Sequence, residues 1–535
     1  MNAMDLKNLF SARESIAQRP LSNAPTFGIW RHVDRAAVIR FARVAFVMCL
    51  AAGLRLWGLN QIGFNTDEAV YSGQAAAIAQ APILKDIFPV FRAHPLLFQF
   101  SLALLFNFGV SDLTARLLAV AIGVATVYVV YCLGSLLYGE DAGTLAALIM
   151  AVMPYHVIVT RQVLLDGPMV LFSTLTLYLL ARYALTERPV WLHTVGIGMG
   201  LTFLAKETGI ILIGAVYAFF ALASEINVRI RDLVLALVLM IVMMLPFPLS
   251  LILAGGSKVG GQYLVWQLFR RPNHTWDFYP TTVPAAIGIL VVVIALLGLW
   301  LLRKQNTWRE KLLVWWMLVP VVFFQIWPTK GFQYLLPIAP AVAVLAGRML
   351  MRWSSVYTSN SPNRSRNITW ISGLVGGIMI LNLFAISWQT IQPATSGTFL
   401  AGTGGVPGGR EAGQWIQQNI PANATLLTIG PSMANILEFY GYRKAYGVSV
   451  SPNPLHRNPS YEPINNPDLV IRSNDIQYLV WDSYSAERSP FFSDRLLALV
   501  ARFNGRVIHA ESVMVTAEDG TQIVKPVIVI YMVHP

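Results

Sequence analysis

Two adjacent acidic residues, Asp67 and Glu68, follow the first long apolar segment of the chain and lie within the sequence Gly63 to Tyr71. A carboxylate beside a membrane can accept the proton of a hydroxyl group as that hydroxyl attacks a substrate. An acidic pair in a loop is more often simply solvated than catalytic, so these residue types alone do not establish chemistry. The pair is a candidate catalytic site whose surroundings decide its role.

A group of basic residues is predicted to lie near the membrane face that carries Asp67. The group consists of Arg92, Arg116, Arg161, Lys206, Arg270, Arg271 and Lys330. A single basic residue at the end of a span is usually an interfacial side chain that extends toward water. Several such residues from separate spans favour a binding site for a lipid-linked phosphate, which would offset their charge. The predicted phosphate-binding residues are Arg161, Lys206, Arg270, Arg271 and Lys330.

The composition is typical of a polytopic membrane protein. Of the 535 residues, 55% are hydrophobic and 12% are charged, whereas soluble domains contain about 25% charged residues. The net charge of +12 does not indicate nucleic-acid binding, because the basic residues lie between apolar segments instead of forming one stripe. The two cysteines, Cys49 and Cys132, lie inside apolar segments and cannot form a disulfide framework.

The apolar segments predict an all-α transmembrane domain over residues 41–390, with about eleven spans of roughly 20 residues each. Residues 1–40 are basic and lack an early apolar stretch, so we expect a cytoplasmic tail and no cleavable signal peptide. The stretch Pro95–Phe108 is short for a span. If this stretch does not cross the membrane, the later basic loops lie on the same side as the N-terminus, as the positive-inside rule requires. We therefore predict a re-entrant or interfacial helix there, within an external loop over residues 60–111.

The C-terminal part of the chain has the pattern of a small α/β domain. A linker rich in Gly, Thr and Pro is predicted within residues 391–409, and residues 410–535 alternate helix and strand patterns. The predicted helices are 410–418, 432–439 and 491–503, and the predicted strands are 425–429, 478–481, 507–510 and 527–533. An odd number of spans makes this domain extracytoplasmic. It carries no phosphate-binding fingerprint, metal-ligand spacing or nucleophile elbow, so we assign it no chemistry.

Several short motifs occur along the chain in a characteristic order. They are Asp67-Glu68, His94-Pro95-Leu96, Arg161 followed by Leu165-Asp166, Gly200 to Lys206, and Lys330 to Pro340. The ordered set resembles the GT-C glycosyltransferases that use polyprenyl-phosphate sugars, namely the protein O-mannosyltransferases and the lipid A aminoarabinose transferases. The resemblance extends over roughly residues 43–388. It implies an inverting transferase that moves a sugar from a polyprenyl-phosphate donor to a hydroxyl acceptor on the outer face of the membrane.

The resemblance also gives roles to individual residues. Asp67 matches the acidic residue of the family's first external loop and would be the catalytic base, with Glu68 as the second acid. Lys206 and Lys330 match lysines that contact the donor phosphate. The family's His-Pro-Pro sequence appears here as His94-Pro95-Leu96, so one proline is missing. The further candidate site residues are Tyr71, His94, Asp166, His274, Tyr279 and Tyr334. For Asp166, a plain helix start and an ion pair with Arg161 are equally open.

The chemistry implied by the resemblance needs no nucleotide site and no cofactor. The donor leaves as polyprenyl phosphate, and Arg and Lys groups stabilise its developing negative charge. Dependence on a divalent metal is left open, because His94 and Glu68 are possible ligands but do not make a full ligand set. The expected partners are a polyprenyl-phosphate-linked sugar, a hydroxyl acceptor on protein Ser/Thr, lipid or glycan, and membrane lipids, but not nucleic acid. The expected location is the plasma (inner) membrane, with a cytoplasmic N-terminus.

Two other functions are compatible with this architecture. An oligosaccharyltransferase would share the fold, but the first external loop lacks an Asp-Xaa-Asp metal motif and the chain lacks a Trp-Trp-Asp-Tyr-Gly sequence, because Met317 follows Trp315-Trp316. A transporter of lipids or lipid-linked sugars would ordinarily contain internal repeats or broken helices in matching halves, and neither is evident in the sequence. The sequence does not indicate the sugar, the length of the polyprenol, the acceptor or the oligomeric state.

Overall fold

The computed structural model describes residues 35–88, 90, 94–253, 262–263, 266–267, 269–270, 272–356, 362–392, 405–516 and 520–535. The predicted phosphate ligand Arg271, most of the predicted N-terminal tail and most of the predicted linker lie outside these residues. Phe46–Pro535 forms one compact unit, and the described part of the remaining unit, Met1–Ala45, is the beginning of the first helix.

Most of the chain before residue 392 is helical. The α-helices are α1 Arg35–Leu56, α2 Thr66–Ile78, α3 Leu84–Ile87, α4 Leu97–Phe106, α5 Asp112–Tyr138, α6 Glu140–Val152, α7 Pro154–Val159, α8 Asp166–Thr186, α9 Pro189–Ala205, α10 Leu212–Leu222, α11 Ile230–Met244, α12 Pro246–Leu253, α13 Phe278–Ile287, α14 Ile289–Leu301, α15 Trp308–Ile326, α16 Ala339–Val356 and α17 Pro362–Thr390. Short 3-10 helices occupy Glu207–Ile211, Arg303–Gln305 and Phe332–Ile338. The bounds follow local signals: the Ser111 side chain caps α5, and Gly139, with φ of 97°, ends it.

Six helices in the described part of the chain are long and apolar enough to cross a membrane, and a seventh span is possible if α13 and α14 form one span bent by 94°. Three more apolar helices are shorter than a typical span: Leu97–Phe106, Pro189–Ala205 and Glu207–Leu222. The figure of about eleven spans remains a prediction, because several predicted apolar runs fold as short or bent helices. α4, expected to be re-entrant or interfacial, has 10 residues and is about 15 Å long, half the thickness of a bilayer core.

Small residues allow the membrane helices to pack closely. A Cβ atom on Gly134 of α5 would lie 2.8 Å from the Cα atom of Gly143 in α6. A larger residue at either position would force the two helices apart, so glycine is required for this crossing. The residues buried around it include Val130, Leu133 and Ala146.

The C-terminal residues form a mixed five-stranded sheet with helices. The strands are β1 Leu426–Thr428, β2 Ala445–Gly447, β3 Tyr478–Asp482, β4 Arg506–Thr516 and β5 Gln522–Met532, in the spatial order β2-β1-β3-β5-β4. β1 is parallel to β2 and β3, whereas β5 is antiparallel to β3 and β4. The helices are α18 Gly409–Asn419, α19 Pro431–Gly441, α20 Pro467–Arg472, α21 Ser483–Arg488 and α22 Pro490–Arg502, with a 3-10 turn at Pro454–His456.

The elements predicted for this domain are present, and three short ones were missed. The predicted helices correspond to α18, α19 and α22, and the predicted strands correspond to β1, β3, β4 and β5. β2, α20 and α21 contain only three to six residues each, too few for a periodic pattern to be recognised. β4 is longer than predicted because it pairs with β5 up to Thr516.

The first external loop and the C-terminal domain share one apolar core. Phe64 packs against Phe439 with ring centroids 5.0 Å apart, and its backbone N–H donates to the Tyr440 hydroxyl at 2.8 Å. The same hydroxyl donates to Asp112 at 2.9 Å, and Arg410 forms an ion pair with Asp112 at 2.6 Å. The loop segment immediately before Asp67 is thereby fixed between the membrane domain and the C-terminal domain.

Candidate active site

Asp67 lies in the first turn of α2, and the sequence around it explains its position. Asn65 caps the helix: its side chain accepts from the Glu68 backbone N–H, while the Glu68 side chain accepts from the Asn65 backbone N–H. This reciprocal capping box fixes the start of the helix. Consecutive helix residues are about 100° apart around the axis, so Asp67 and Glu68 face different surroundings. Asp67 is exposed, whereas Glu68 is 0% exposed.

Glu68 is fully engaged in hydrogen bonds and an ion pair. Its carboxylate accepts from Nε and Nη2 of Arg116 at 2.8 and 2.7 Å, and from the backbone N–H groups of Asn65 and Val163. Arg116 also donates to the carbonyls of Leu59 and two further loop residues. These contacts give Glu68 the geometry of a structural residue that ties the external loop to α5, which differs from the catalytic role predicted for it.

Asp67 opens into a cavity but is closely surrounded by protein atoms. Desolvation raises the pKa of its carboxyl group above the usual value, Lys206 and His94 lower it in part, and the charge of Glu68 raises it. The raised pKa makes the ionised carboxylate more basic than an ordinary aspartate. A carboxylate with this property is suited to accept a proton from a hydroxyl group.

Lys206 and Asp166 form a buried ion pair next to this cavity. Lys206 Nζ lies 2.8 Å from both carboxylate oxygens of Asp166. Lys206 is 5% exposed and Asp166 is 2% exposed. Lys206 follows the last residue of α9, and its ammonium lies 4.8 Å from the centre of the Tyr334 ring. Asp166 is the first residue of α8, as one of the two predictions for it proposed. Its ion-pair partner is Lys206, so the alternative pairing with Arg161 is wrong.

His94 lies in a polar chain on the same side of the site. Its Nδ1 is 2.9 Å from a carboxylate oxygen of Glu207, and its Nε2 is 3.2 Å from the hydroxyl of Tyr263. The ring of Tyr71, one turn after Asp67, meets His94 edge-on with centroids 6.3 Å apart. The sequence did not identify Glu207 or Tyr263 as candidate site residues. The only local signal for Glu207 is its position directly after Lys206.

Lys330 and Arg270 are cations without a carboxylate partner in the described part of the chain. The Lys330 ammonium lies 5.5 Å from the centre of the Trp276 ring, and the residue is only 5% exposed. The Arg270 guanidinium lies 4.7 Å from the Trp266 ring. Electrostatic effects of Arg270 reach Tyr334 and Tyr263, which places it at the same site.

Two other predicted residues support the backbone beside Lys330. The Tyr279 hydroxyl lies within hydrogen-bond distance of both the N–H and the carbonyl of Gly331, at 3.1 and 3.2 Å. His274 stacks on Phe278, with ring centroids 4.0 Å apart, and desolvation followed by the charge of Lys330 lowers its pKa. Tyr279 and His274 therefore lie around the Lys330 segment.

Arg161 has different neighbours from the other predicted phosphate ligands. Its guanidinium donates to the backbone carbonyls of Leu54 at 2.7 Å and Arg55 at 3.2 Å. Desolvation, followed by the charge of Arg116, lowers the pKa of Arg161 to about 10. Arg161 is therefore part of the structural region around Glu68 and Arg116, and no contact joins it to Lys206.

A cavity of about 1040 Å³, counting its opening to solvent, lies between the external loop and the C-terminal domain. On the loop side it is lined by Asp67, Tyr71, Gln74 and His94, and on the other side by residues of α19, β2 and the segment 458–462. Sequence reasoning assigned no role to this second side, because residues in contact across the cavity are several hundred positions apart in the chain.

Metal ligands are not assembled among the residues that the structure describes: no group of three or more His, Cys, Asp or Glu side chains has suitable geometry. His94 interacts with Glu207, and Glu68 is engaged by Arg116. The two possible ligands considered in the sequence therefore have other partners.

Comparison with known proteins gives one family match and several structural matches. Residues 93–251 match the family model described as dolichyl-phosphate-mannose-protein mannosyltransferase. Over 93% of this chain and 97% of the other, the structure superposes on ArnT from Cupriavidus metallidurans in the apo state, with a TM-score of 0.66 and 15% identity. The chain has the GT-C glycosyltransferase fold. No curated protein sequence matches it significantly.

Two further structures share this GT-C fold. ArnT from Cupriavidus metallidurans bound to undecaprenyl phosphate has a TM-score of 0.64 at 15% identity, covering 93% of this chain and 98% of that one. The archaeal oligosaccharyltransferase AglB from Archaeoglobus fulgidus, in complex with an inhibitory peptide and a dolichol-phosphate, has a TM-score of 0.62 at 13% identity. That match covers 92% of this chain and 74% of AglB.

Proposed function

We propose that the protein is an inverting glycosyltransferase that moves a sugar from a polyprenyl-phosphate donor to a hydroxyl acceptor at the outer face of the plasma (inner) membrane. The observation that carries the proposal is the exposed carboxylate of Asp67, which lines a cavity and interacts electrostatically with the ammonium of Lys206. The GT-C fold and the polyprenyl phosphate bound by ArnT support the choice of donor.

The donor phosphate is assigned to Lys330 and Arg270, with Lys206 close by. The first two cations have no carboxylate partner among the described residues, so a phosphate would supply the missing countercharge. The charge of Lys206 is already neutralised by Asp166. Lys206 therefore contributes mainly to the shape and the electrostatic potential of the site. Preplaced cations stabilise the negative charge that develops on the departing polyprenyl phosphate.

Asp67 is assigned as the general base. The acceptor oxygen forms a bond to the anomeric carbon, the bond from that carbon to the phosphate oxygen breaks, and the hydroxyl proton passes to Asp67. The products are the glycosylated acceptor with inverted anomeric configuration and free polyprenyl phosphate. The raised pKa of Asp67 suits this step.

The first prediction tests the base. Asp67→Asn keeps the size of the side chain but removes its basicity, so turnover should fall by at least about 100-fold with little change in donor binding. Release of polyprenyl phosphate from a radiolabelled donor, followed in purified protein, measures the effect. Asp86→Asn is the matched control, because Asp86 is an exposed acid of the same external loop. Near wild-type transfer by Asp67→Asn would refute the assignment of the base.

The likeness to AglB keeps one related function in view, namely transfer of an oligosaccharide to a peptide. The two reactions differ in the mass added to the acceptor, a single sugar in one and an oligosaccharide in the other, and mass spectrometry distinguishes them. A transporter would instead move the labelled donor across a vesicle membrane without changing any acceptor.

A further inference from the structure

The cavity beside Asp67 is lined by two segments of the chain. The wall formed by the loop over residues 60–111 combines the apolar and aromatic side chains Val70, Tyr71, Ile87 and Phe88 with the polar side chains Asp67, Gln74 and His94. The opposite wall belongs to the C-terminal domain and carries amide, hydroxyl and carboxylate groups. Its polar members are Asn435, Glu438, Tyr446, Asn458, Ser460 and Tyr461.

We propose that this cavity binds the acceptor, and that the acceptor is a sugar ring without charge, held between the apolar and aromatic side chains of the loop and the hydrogen-bonding wall of the C-terminal domain. The proposal rests on the proposed function and specifies the acceptor class of the same site. A sugar ring has an apolar C–H face, which can pack on Val70, Tyr71 and Phe88, and an edge of hydroxyl groups, which can bond to the polar side chains of the lining. Amides and hydroxyls can donate or accept hydrogen bonds with sugar hydroxyl groups, and an ionised carboxylate accepts them.

The charges around the cavity favour an uncharged acceptor over an anionic one. The carboxylates on its lining are Asp67, Glu438 and Glu462. The cation of the polar wall, Lys444, lies 3.8 Å from Glu438 and is offset by it. A phosphate group placed here would meet carboxylates on both sides, and like-charge contacts are costly in a partly desolvated site. Lys330 and Arg270 are not among the residues that line the cavity.

Hydrogen bonds connect some of the side chains in the polar wall. Asn435 is 7% exposed and donates to the Tyr461 hydroxyl at a long 3.5 Å. Ser460 donates to the Asn458 side chain at 2.7 Å. Because a hydrogen bond of 3.5 Å is weak, Asn435 and Tyr461 retain bonding capacity for a ligand in the cavity. A sugar hydroxyl bound there would face Asp67 across the cavity, and its proton would pass to that carboxylate as the new glycosidic bond forms.

The test is saturation-transfer NMR on the purified full-length protein with three separate probes. They are a mixture of neutral oligosaccharides containing mannose, glucose, galactose and N-acetylglucosamine, a Ser/Thr-rich peptide, and glucosamine 1-phosphate. We expect saturation of the neutral sugar ring protons. Asn435→Leu and Tyr461→Phe should each weaken this binding by roughly fivefold, the effect of one lost hydrogen bond.

Gln418→Leu is the matched control, since it removes an exposed amide from α18, outside the cavity lining. The proposal is overturned if the peptide or the sugar phosphate binds in preference to the neutral sugars. It is equally overturned if the neutral sugars do not bind, or bind unchanged to both cavity variants while these variants still bind undecaprenyl phosphate. Binding of neutral sugars without any binding of undecaprenyl phosphate would instead contradict the proposed donor and leave the inferred sugar site standing.

Discussion

At the scale of single residues, Asp67 and Glu68 are adjacent in α2 but have different environments. Glu68 faces inward and forms a bidentate ion pair with Arg116, whereas Asp67 faces the cavity. A buried, fully bonded carboxylate cannot accept a further proton without losing its ion pair, and removal of its partner is expected to destabilise the fold strongly. Substitution of Asp67 is therefore assessed by its effect on turnover, and substitution of Glu68 by its effect on stability.

The pH dependence of the reaction should report the environment of Asp67. Desolvation raises its pKa, so the acidic limb of the pH–rate profile should lie above the value of about 3.9 typical of aspartate. The folded protein binds this proton more tightly than the unfolded chain, so this group stabilises the fold increasingly as pH falls through the raised pKa toward the unfolded value. At pH 7, Asp67→Asn should thus raise the thermal midpoint while lowering turnover. A lower midpoint in the variant would indicate a structural role.

Substitution of Lys330 and substitution of Lys206 should have different effects on lipid binding and on stability. Lys330→Met should weaken binding of undecaprenyl phosphate by about 1.5–3 kcal/mol, the value of a charged hydrogen bond, with near-normal stability. Lys206→Met leaves the Asp166 carboxylate buried and unpaired, which should cost about 3–5 kcal/mol of stability. Lipid-binding titrations and thermal unfolding separate these effects. Lys311→Met, at an exposed ion pair with Glu225, is the control. Equal lipid affinity in wild type and Lys330→Met would remove Lys330 from the donor site.

At the scale of secondary-structure elements, the C-terminal domain holds the segment that precedes the proposed base. Tyr440 in α19 connects the backbone of Phe64 to Asp112 at the start of α5. Arg410 reinforces this link through Asp112 and the side chain of Asn60. The start of α2 is therefore restrained by contacts from both domains, which keeps Asp67 at a fixed place relative to the cations.

Removal of the Tyr440 hydroxyl should loosen this connection. Tyr440→Phe loses the hydrogen bonds to Phe64 and Asp112, at a cost of about 0.5–1.5 kcal/mol for each bond. We expect faster hydrogen exchange at the amides of residues 60–70 and lower turnover, with unchanged binding of undecaprenyl phosphate. Tyr478→Phe is a suitable control, because its hydroxyl makes no hydrogen bond within the described residues. Unaltered exchange in the loop would show that Tyr440 does not restrain α2.

At the scale of the whole molecule, the placement of the active site depends on which face of the membrane carries the C-terminal domain. From the positive-inside rule we predict that the basic turn at Arg303–Gln305 lies in the cytoplasm. We also predict that the domain over residues 410–535 lies on the outer side, together with the loop that contains Asp67. The cavity between this loop and the domain requires them to share one face.

Cysteine labelling of intact cells tests this topology. In a background where Cys49 and Cys132 are replaced by Ser, an impermeant maleimide should modify Gln418→Cys and spare Gln305→Cys. Both positions are exposed, so a difference in labelling reports the side of the membrane instead of burial. After cell lysis, both sites should react. The opposite pattern in intact cells would place the proposed active site in the cytoplasm.

The sequence by itself indicated the membrane class and most of the helix and strand pattern of the C-terminal domain, and it singled out Asp67, Lys206 and His94 as candidate site residues. These features depend on composition, local periodicity and short motifs, which involve neighbours in the chain. The pairing of Asp166 with Lys206, 40 positions away, was decided only by the tertiary structure. So were the structural role of Glu68 and the polar wall that Asn435 and Tyr461 contribute to the cavity. An ionisable side chain can pair with any opposite charge that the fold brings near, and packing between distant segments, which local patterns do not encode, selects the partner.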